Sequence, residues 1–156
     1  MHQRIQTIWL SLATIALSLM LFFPLVVKKL SGVSFPLLYT KGYVSSWDAG
    51  EFIAISIKPI YPLFIPNIAL ALICFLNIFN YKKRSFQKRF AIVSIILIVG
   101  FAFWCSIYAK ELPGGVKGAS FGIGAYLPAA AILFIVLGIF GINKDERLIR
   151  SAERLR

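Results

Sequence analysis

The sequence predicts an all-α fold, an integral membrane four-helix bundle that ends in an amphipathic C-terminal cytoplasmic helix. Three observations favour this class. The chain is 59% hydrophobic with a mean hydropathy of +0.81, which is more apolar than soluble domains are. Four of its apolar segments have the length of a membrane crossing. The positive charges collect beside these segments, as they do at the ends of membrane spans. We expect residues 1–156 to form a single membrane domain.

The first span is predicted over residues 5–27, an uncharged stretch of 23 residues. As a helix it covers a hydrocarbon core of about 30 Å. No small-residue cleavage pattern follows it, so we expect it to be retained. Its hydroxyl side chains recur at spacings of four, three and four, and therefore share one helical face. We interpret this face as a helix-packing seam, with a polar transport path as the alternative. The hydroxyl face consists of Thr7, Ser11, Thr14 and Ser18.

An outer loop is predicted over residues 28–59, because glycines and prolines interrupt this stretch. Its most polar part includes two carboxylates, Asp48 and Glu51, which share a face if the segment is helical. Ser46 or Asp48 would then cap a short helix on the membrane surface. Paired carboxylates also perform acid-base chemistry, but no histidine or third carboxylate is near them in the sequence. We therefore favour the helix cap.

The second span is predicted over residues 60–79, and prolines crowd its outer end. The helix is expected either to begin near Pro62 or to kink at Pro66. Asn67 and Asn77 are expected to hydrogen bond to a neighbouring helix. As an alternative, Asn67 beside the proline break lines a transport site of the broken-helix kind.

A basic loop is predicted over residues 80–89, with five Lys and Arg and no acidic residue. This composition is typical of a loop on the cytoplasmic side. The third span follows over residues 90–108. Cys74 and Cys105 fall within spans and are interpreted as small packing residues, because their spacing fits neither a disulfide framework nor a metal site.

The fourth span is predicted over residues 121–142 and is rich in small residues, with Gly138 and Gly141 near its end. Small residues four positions apart let the backbone of a neighbouring helix come close. We expect this face to pack against the hydroxyl face, although a homo-oligomer would use the same surface. The small-residue face consists of Gly118, Gly122, Ala125 and Ala129.

A charged tail is predicted over residues 143–156, with a narrow apolar stripe on one face. A basic amphipathic helix of this kind rests on the anionic inner leaflet of a membrane or docks a protein partner. The predicted docking residues are Lys144, Arg147, Leu148, Arg150, Ala152, Arg154, Leu155 and Arg156.

The distribution of charge predicts the orientation. Placing both chain termini and the basic loop on one side collects eleven Lys and Arg there, against six in the two outer connections. The positive-inside rule then puts both termini in the cytoplasm. The net charge of +11 is assigned to lipid contact and orientation. Nucleic acid is not a predicted partner, because no basic-aromatic module accompanies the charge.

Four stretches of the chain carry a family resemblance: residues 1–7, residues 22–24, residues 126–128 and, most specifically, residues 142–156. Together they resemble a family of small four-span membrane proteins of the Bacteroidetes, domain of unknown function 4293. The resemblance covers essentially the whole chain, although no motif matches in the outer loop. It implies a multi-pass protein of the bacterial inner (cytoplasmic) membrane, with no known activity, cofactor or catalytic residue.

The favoured hypothesis is a non-enzymatic accessory or scaffold subunit that docks a membrane-complex protein or lipid through its basic tail. No charge lies within any predicted span, whereas transporters and proton relays usually need one there. The alternative is a transporter or channel component with a path near Pro66 and Asn67. A membrane enzyme using His2, Asp48 or Glu51 has the least support. No catalytic, cofactor-binding or metal-binding residue is predicted.

Overall fold

Four α-helices and five β-strands make up the described part of the chain. The computed structural model describes residues 3–30, 33–49, 52–80, 84–110 and 119–154. The helices are α1 (Gln3–Leu19), α2 (Tyr61–Phe79), α3 (Arg84–Lys110) and α4 (Ile123–Arg154). The strands are β1 (Val26–Leu30), β2 (Val33–Tyr39), β3 (Gly42–Ala49), β4 (Phe52–Pro59) and β5 (Ala119–Phe121). Most described residues are helical, which confirms the predicted class, and the strands are an addition to it.

Each helix packs against two others. α1 contacts α2 and α4, and α3 contacts the same two helices, so the contacts close into a ring. All four helices contribute buried apolar side chains to one core, which brings small and branched residues together at close range. Members of this core are Ala13, Leu17, Leu63, Leu70, Ala91, Ile98, Ala131 and Ile135.

Within the described ranges, three helical segments are long and apolar enough to cross a membrane: Tyr61–Phe79, Ser85–Lys110 and Ile123–Lys144. Their outward faces carry large apolar side chains, such as Ile96 and Phe103, which are 65% and 70% exposed. An apolar surface of this extent is unfavourable in water and is expected where a helix faces lipid. The three segments together indicate a membrane protein.

The first apolar segment forms a shorter helix than the span predicted over residues 5–27. α1 ends at Leu19, and β1 begins at Val26 after a turn. Pro24 explains this ending, because proline lacks a backbone N–H and disfavours helical backbone at the residue before it, Phe23. The apolar part of α1 alone is therefore shorter than the other three segments.

α3 and α4 are longer than their predicted spans. α3 begins at Arg84, inside the predicted basic loop, and α4 continues to Arg154, so the tail is the end of α4 and not a separate helix. Lys, Arg and Gln are good helix formers, and no glycine or proline interrupts residues 142–154. α3 and α4 therefore each include basic residues in addition to an apolar segment.

The predicted outer loop over residues 28–59 is instead mostly β-strand. β1 to β4 pair in succession as an antiparallel meander, and the strand order of the sheet is β4-β3-β2-β1-β5. Ser46 and Asp48 lie within β3, so the predicted helix cap at these residues is wrong. β4 reads Phe-Ile-Ala-Ile-Ser-Ile-Lys-Pro, whose alternation of period two and β-branched content favour a strand.

Hydrogen bonds attach the sheet to the helices at the turn between α1 and β1. Thr40 is fully buried and donates its Oγ1 hydroxyl to the carbonyl oxygen of Met20 at 3.0 Å. The backbone N–H of Gly122 donates to the carbonyl oxygen of Leu25 at 2.9 Å. β5 pairs with β1, so the connection between α3 and α4 joins the same sheet. We call this end of the molecule the sheet end.

Candidate functional site

Polar side chains gather at the end of the helices opposite the sheet, where α2 ends, α3 begins and α4 passes. We call this region, defined by Asn77, Gln87, Lys88 and Asn143, the polar end. Lys88 Nζ donates to Asn143 Oδ1 at 2.7 Å, a short charge-assisted bond between α3 and α4. Gln87 Nε2 donates to the backbone oxygen of Asn77 at 3.3 Å, which links α3 to α2. Polar bonds therefore hold three helices together at this end.

A polar cavity of about 410 Å³ opens between α3 and α4 at the polar end. Its lining residues are Lys88, Asn143, Glu146 and Arg147. Lys88 is half-buried and Arg147 is exposed, whereas the half-buried Glu146 has an interaction partner within the chain. Two cationic groups and one carboxylate leave the lining with a net positive charge. The cavity is therefore suited to an anion.

The predicted docking residues of the tail continue directly from this cavity. Lys144 and Arg147 are exposed on α4. At about 1.5 Å per residue, the helix extends about 16 Å beyond Asn143 to its end at Arg154. The tail positions on this helix are Leu148, Arg150, Ala152 and Arg154, while Leu155 and Arg156 lie outside the described residues.

Two hydroxyl groups of the hydroxyl face of α1 are hydrogen bonded within their own helix. Thr14 Oγ1 donates to the backbone oxygen of Leu10 at 3.0 Å, and Ser18 Oγ donates to that of Thr14 at 2.9 Å. Such bonds to the residue four positions earlier replace bonds to a neighbouring helix. Thr7 is exposed, and Ser11, Thr14 and Ser18 are only half-buried.

The small-residue face of α4 is buried only in part. Ala129 is exposed, Ala125 is half-buried, Gly122 is buried against the turn after α1, and Gly118 lies outside the described residues.

The contact between α1 and α4 runs instead through the later glycines of α4. A Cβ atom at Gly138 would lie 3.5 Å from Leu10 Cδ2, and one at Gly141 would lie 3.1 Å from Gln6 Cγ. Trp9 stacks on Phe134 beside these glycines, with the ring centroids 6.1 Å apart. A methyl group at Gly138 would make an ordinary van der Waals contact with Leu10, whereas one at Gly141 would require the side chain of Gln6 to shift slightly.

α2 contains a fully buried amide. Asn67 is 0% exposed, and neither its Oδ1 nor its Nδ2 has a hydrogen-bond partner among the described residues. The predicted bond to a neighbouring helix is therefore not made there. The helix begins at Tyr61 with Pro62 in its first turn, and it continues through Pro66. An unpaired buried amide costs about 1–3 kcal/mol, which makes Asn67 the most costly polar group of the core.

The residues considered for catalysis do not form a site within the described ranges. Asp48 lies on β3 opposite Ile53, while His2 and Glu51 lie outside those ranges. The same ranges contain no group of three or more His, Cys, Asp or Glu placed to hold a metal ion. Cys74 and Cys105 are buried free cysteines.

The link between Lys88 and Asn143 and the cavity beside it cannot be predicted from hydropathy. The edges of the apolar segments place Lys88 in a loop and Asn143 beyond the fourth span, and so give Asn143 no role. Part of the signal was available. An asparagine directly after an apolar span offers a hydrogen-bond acceptor at the same level as a basic cluster.

Comparison with known proteins yields a family match. The family model described as "Domain of unknown function (DUF4293)" matches residues 2–155. The match therefore extends over the helices, the sheet and the polar end together. No curated protein and no solved structure matches the chain.

Proposed function

The chain belongs to this family of unknown function, and on that premise we propose that it is a non-enzymatic accessory or scaffold subunit of the bacterial inner membrane. Its α4 helix docks a partner protein or the anionic inner leaflet. The observation that carries the proposal is the continuity of α4 from Ile123 to Arg154. The basic residues after Asn143 lie on a helix that is already formed. The segment therefore loses little conformational entropy on binding.

The proposal includes four membrane crossings with both termini in the cytoplasm. α1 and the turn after it run beside α4. Gly141 of α4 faces Gln6 at one end of this contact, and at the other end the N–H of Gly124 donates to the carbonyl oxygen of Pro24 at 2.9 Å. Gly124 and Gly141 are 17 positions apart, or about 26 Å along a helix. This length approaches the hydrocarbon thickness of about 30 Å. It supports a crossing by α1 together with its turn.

Cysteine labelling tests this orientation. Lys41→Cys at the sheet end and Phe86→Cys at the polar end replace exposed residues, in a background of Cys74→Ala and Cys105→Ala. A membrane-impermeant maleimide added to spheroplasts is expected to modify position 41 and to spare position 86. Lysis should then expose both positions. Labelling of position 86 alone in spheroplasts would reverse the orientation and remove the cytoplasmic docking role.

Charge removal from the tail tests docking. Arg150→Gln, Arg154→Gln and Arg156→Gln together retain helix-forming side chains while removing three charges. We expect recovery of a stoichiometric partner in mild detergent to fall at least about tenfold, because each charge-assisted bond is worth about 1.5–3 kcal/mol. Quantitative mass spectrometry of the purified material measures this loss.

The matched control removes the same charge from the sheet end through Lys28→Gln, Lys29→Gln and Lys58→Gln. Partner recovery with this control should equal that with the unmodified protein. Equal losses in the two triple variants would contradict docking by the tail. Failure of the unmodified protein to retain any stoichiometric partner would contradict a protein partner altogether.

A transporter or channel component is the second candidate. The buried amide of Asn67, one residue after Pro66, favours it, because polar groups inside membrane helices commonly mark solute paths. Solute flux into liposomes that contain this protein alone would support that function over docking.

A further inference from the structure

We propose that the polar cavity between α3 and α4 binds the phosphate group of an anionic phospholipid. The inference rests on the proposed placement of the polar end at a membrane surface and names the ligand that this end takes. The cavity has about 410 Å³ and is lined by Lys88, Asn143, Glu146 and Arg147. This volume admits a phosphate with its glycerol.

The donors that face the cavity match a phosphodiester. Lys88 Nζ is held by Asn143 Oδ1 at 2.7 Å, which uses one of the three N–H donors of the ammonium group. Arg147 adds a planar guanidinium that binds two phosphate oxygens at once. Because the carboxylate of Glu146 offsets part of the positive charge, a singly charged phosphodiester fits the lining better than a multiply charged anion does.

The position of the cavity points to lipid as the source of the phosphate. The apolar segments Ser85–Lys110 and Ile123–Lys144 both end beside it, so the cavity lies where the hydrocarbon layer meets the headgroups. Ile92 and Ile96 follow Lys88 at four-residue spacing on one face of α3 and are 45% and 65% exposed. A lipid whose phosphate sits in the cavity can lay its acyl chains along this face.

Lipid binding to the purified full-length protein in detergent provides the test, with phosphatidylglycerol as the probe and native mass spectrometry as the readout. We expect Lys88→Gln and Arg147→Gln each to weaken the binding of one phosphatidylglycerol about tenfold, the value of one charge-assisted bond. Arg147→Gln leaves the bond between Lys88 and Asn143 intact, so its effect is separable from a loss of folding.

Arg89→Gln is the matched control. It removes an equal charge from the residue next to Lys88, at an exposed position that does not line the cavity, and less than a twofold effect is expected. Equal losses for Arg89→Gln and Arg147→Gln would overturn the site in favour of general surface attraction. Phosphatidylcholine, whose quaternary ammonium group cancels the phosphate charge, should bind at least about tenfold more weakly, and equal binding would overturn the choice of an anionic lipid.

Inorganic phosphate separates the two sources of the same group. Thermal stabilisation by lipid that depends on Arg147 and is not reproduced by inorganic phosphate supports the lipid site, whereas equal stabilisation by inorganic phosphate alone overturns the lipid source. The triple arginine variant of the tail, which leaves the cavity intact, separates this inference from partner docking. It should lose the partner and keep the phosphatidylglycerol, while Arg147→Gln in an otherwise unmodified tail should lose the lipid.

Discussion

We expect Gly122→Ala and Gly124→Ala each to lower the free energy of unfolding by about 3 kcal/mol. A Cβ atom at Gly122 would overlap the carbonyl oxygen of Pro24, and one at Gly124 would lie 2.6 Å from the carbonyl oxygen of Phe23. Hydrogen bonds hold this backbone in place, because Gly124 N–H donates to the carbonyl oxygen of Pro24 and Phe23 N–H donates to that of Leu19. The added methyl group therefore cannot be accommodated by rotation of a side chain, and the turn itself has to move.

Thermal unfolding in detergent, followed by tryptophan fluorescence, measures the effect. A loss of about 3 kcal/mol lowers the melting temperature by about 6–12 °C in a chain of this size. Gly100→Ala is the control, since no heavy atom lies within 4 Å of a Cβ placed there. It should keep the stability or raise it by up to about 1 kcal/mol through helix propensity. Similar melting temperatures for Gly122→Ala and Gly100→Ala would contradict the close contact.

The two glycines matter because they set where α4 meets the first helix. At the sheet end, backbone approaches backbone at Gly122 and Gly124. At the polar end, a side-chain bond between Lys88 and Asn143 joins α4 to α3. α4 is thus held at both the sheet end and the polar end, so the helical segment after Asn143 has a defined position relative to the other helices. A change at the sheet end therefore also affects the position of the proposed docking surface.

The membrane helices could be predicted because their signal is local. Residues 60–79 and 90–108 are uncharged and mostly apolar, and helices occupy all but residue 60 of these ranges. The extension of α3 and α4 into the basic clusters could not be read from hydropathy, because hydropathy reports the edge of the membrane and not the end of a helix. Helix propensity, which is high for Lys and Arg, was the relevant signal there.

The sheet was missed for a different reason. Residues 45–51 carry a local helix signal, because Asp48 and Glu51 would share a helical face, and this signal competes with the period-two alternation of β4. The pairing of β1 with β5 links residues more than 90 positions apart. Such a contact follows from the fold and not from any local sequence signal.

Periodicity predicts a helix better than it predicts which face of that helix packs against a neighbour, as the contact between α1 and α4 illustrates. Spacing placed Thr7 and Ser11 on one face of α1, and the observed contact with α4 uses the neighbouring positions Gln6 and Leu10. Successive residues are rotated by about 100° around the helix axis. A pattern of small side chains therefore identifies one face of a helix, but not the helix that packs against it. Gly138 and Gly141 face Leu10 and Gln6 of α1, whereas Ala129 is exposed.

Asn67→Leu is expected to raise the free energy of unfolding by about 2 kcal/mol. The amide is fully buried, and both of its polar atoms lack a hydrogen-bond partner in the part of the chain that the structure describes. Leucine branches at the same carbon but has no group to desolvate, so the substitution removes a cost of about 1–3 kcal/mol. The melting temperature should therefore rise by about 4–8 °C. Asn67→Ala serves as a second variant that avoids overpacking and should be less favourable because it leaves a cavity.

Asn80→Leu is the matched control, since this asparagine lies at the end of the same helix, is only half-buried, and makes a long 3.5 Å bond to Leu76. Its effect should stay within about 0.5 kcal/mol. A fall in stability for both Asn67 variants would mean that the amide is paired with water or a solute inside the body, contrary to the expectation. A fall in stability for both variants, together with solute flux in liposomes, would favour the transport function. The buried amide would then serve to bind the solute. An Asn67→Leu variant that is more stable and still retains its partner would instead favour docking through α4, because docking would then not require the buried amide.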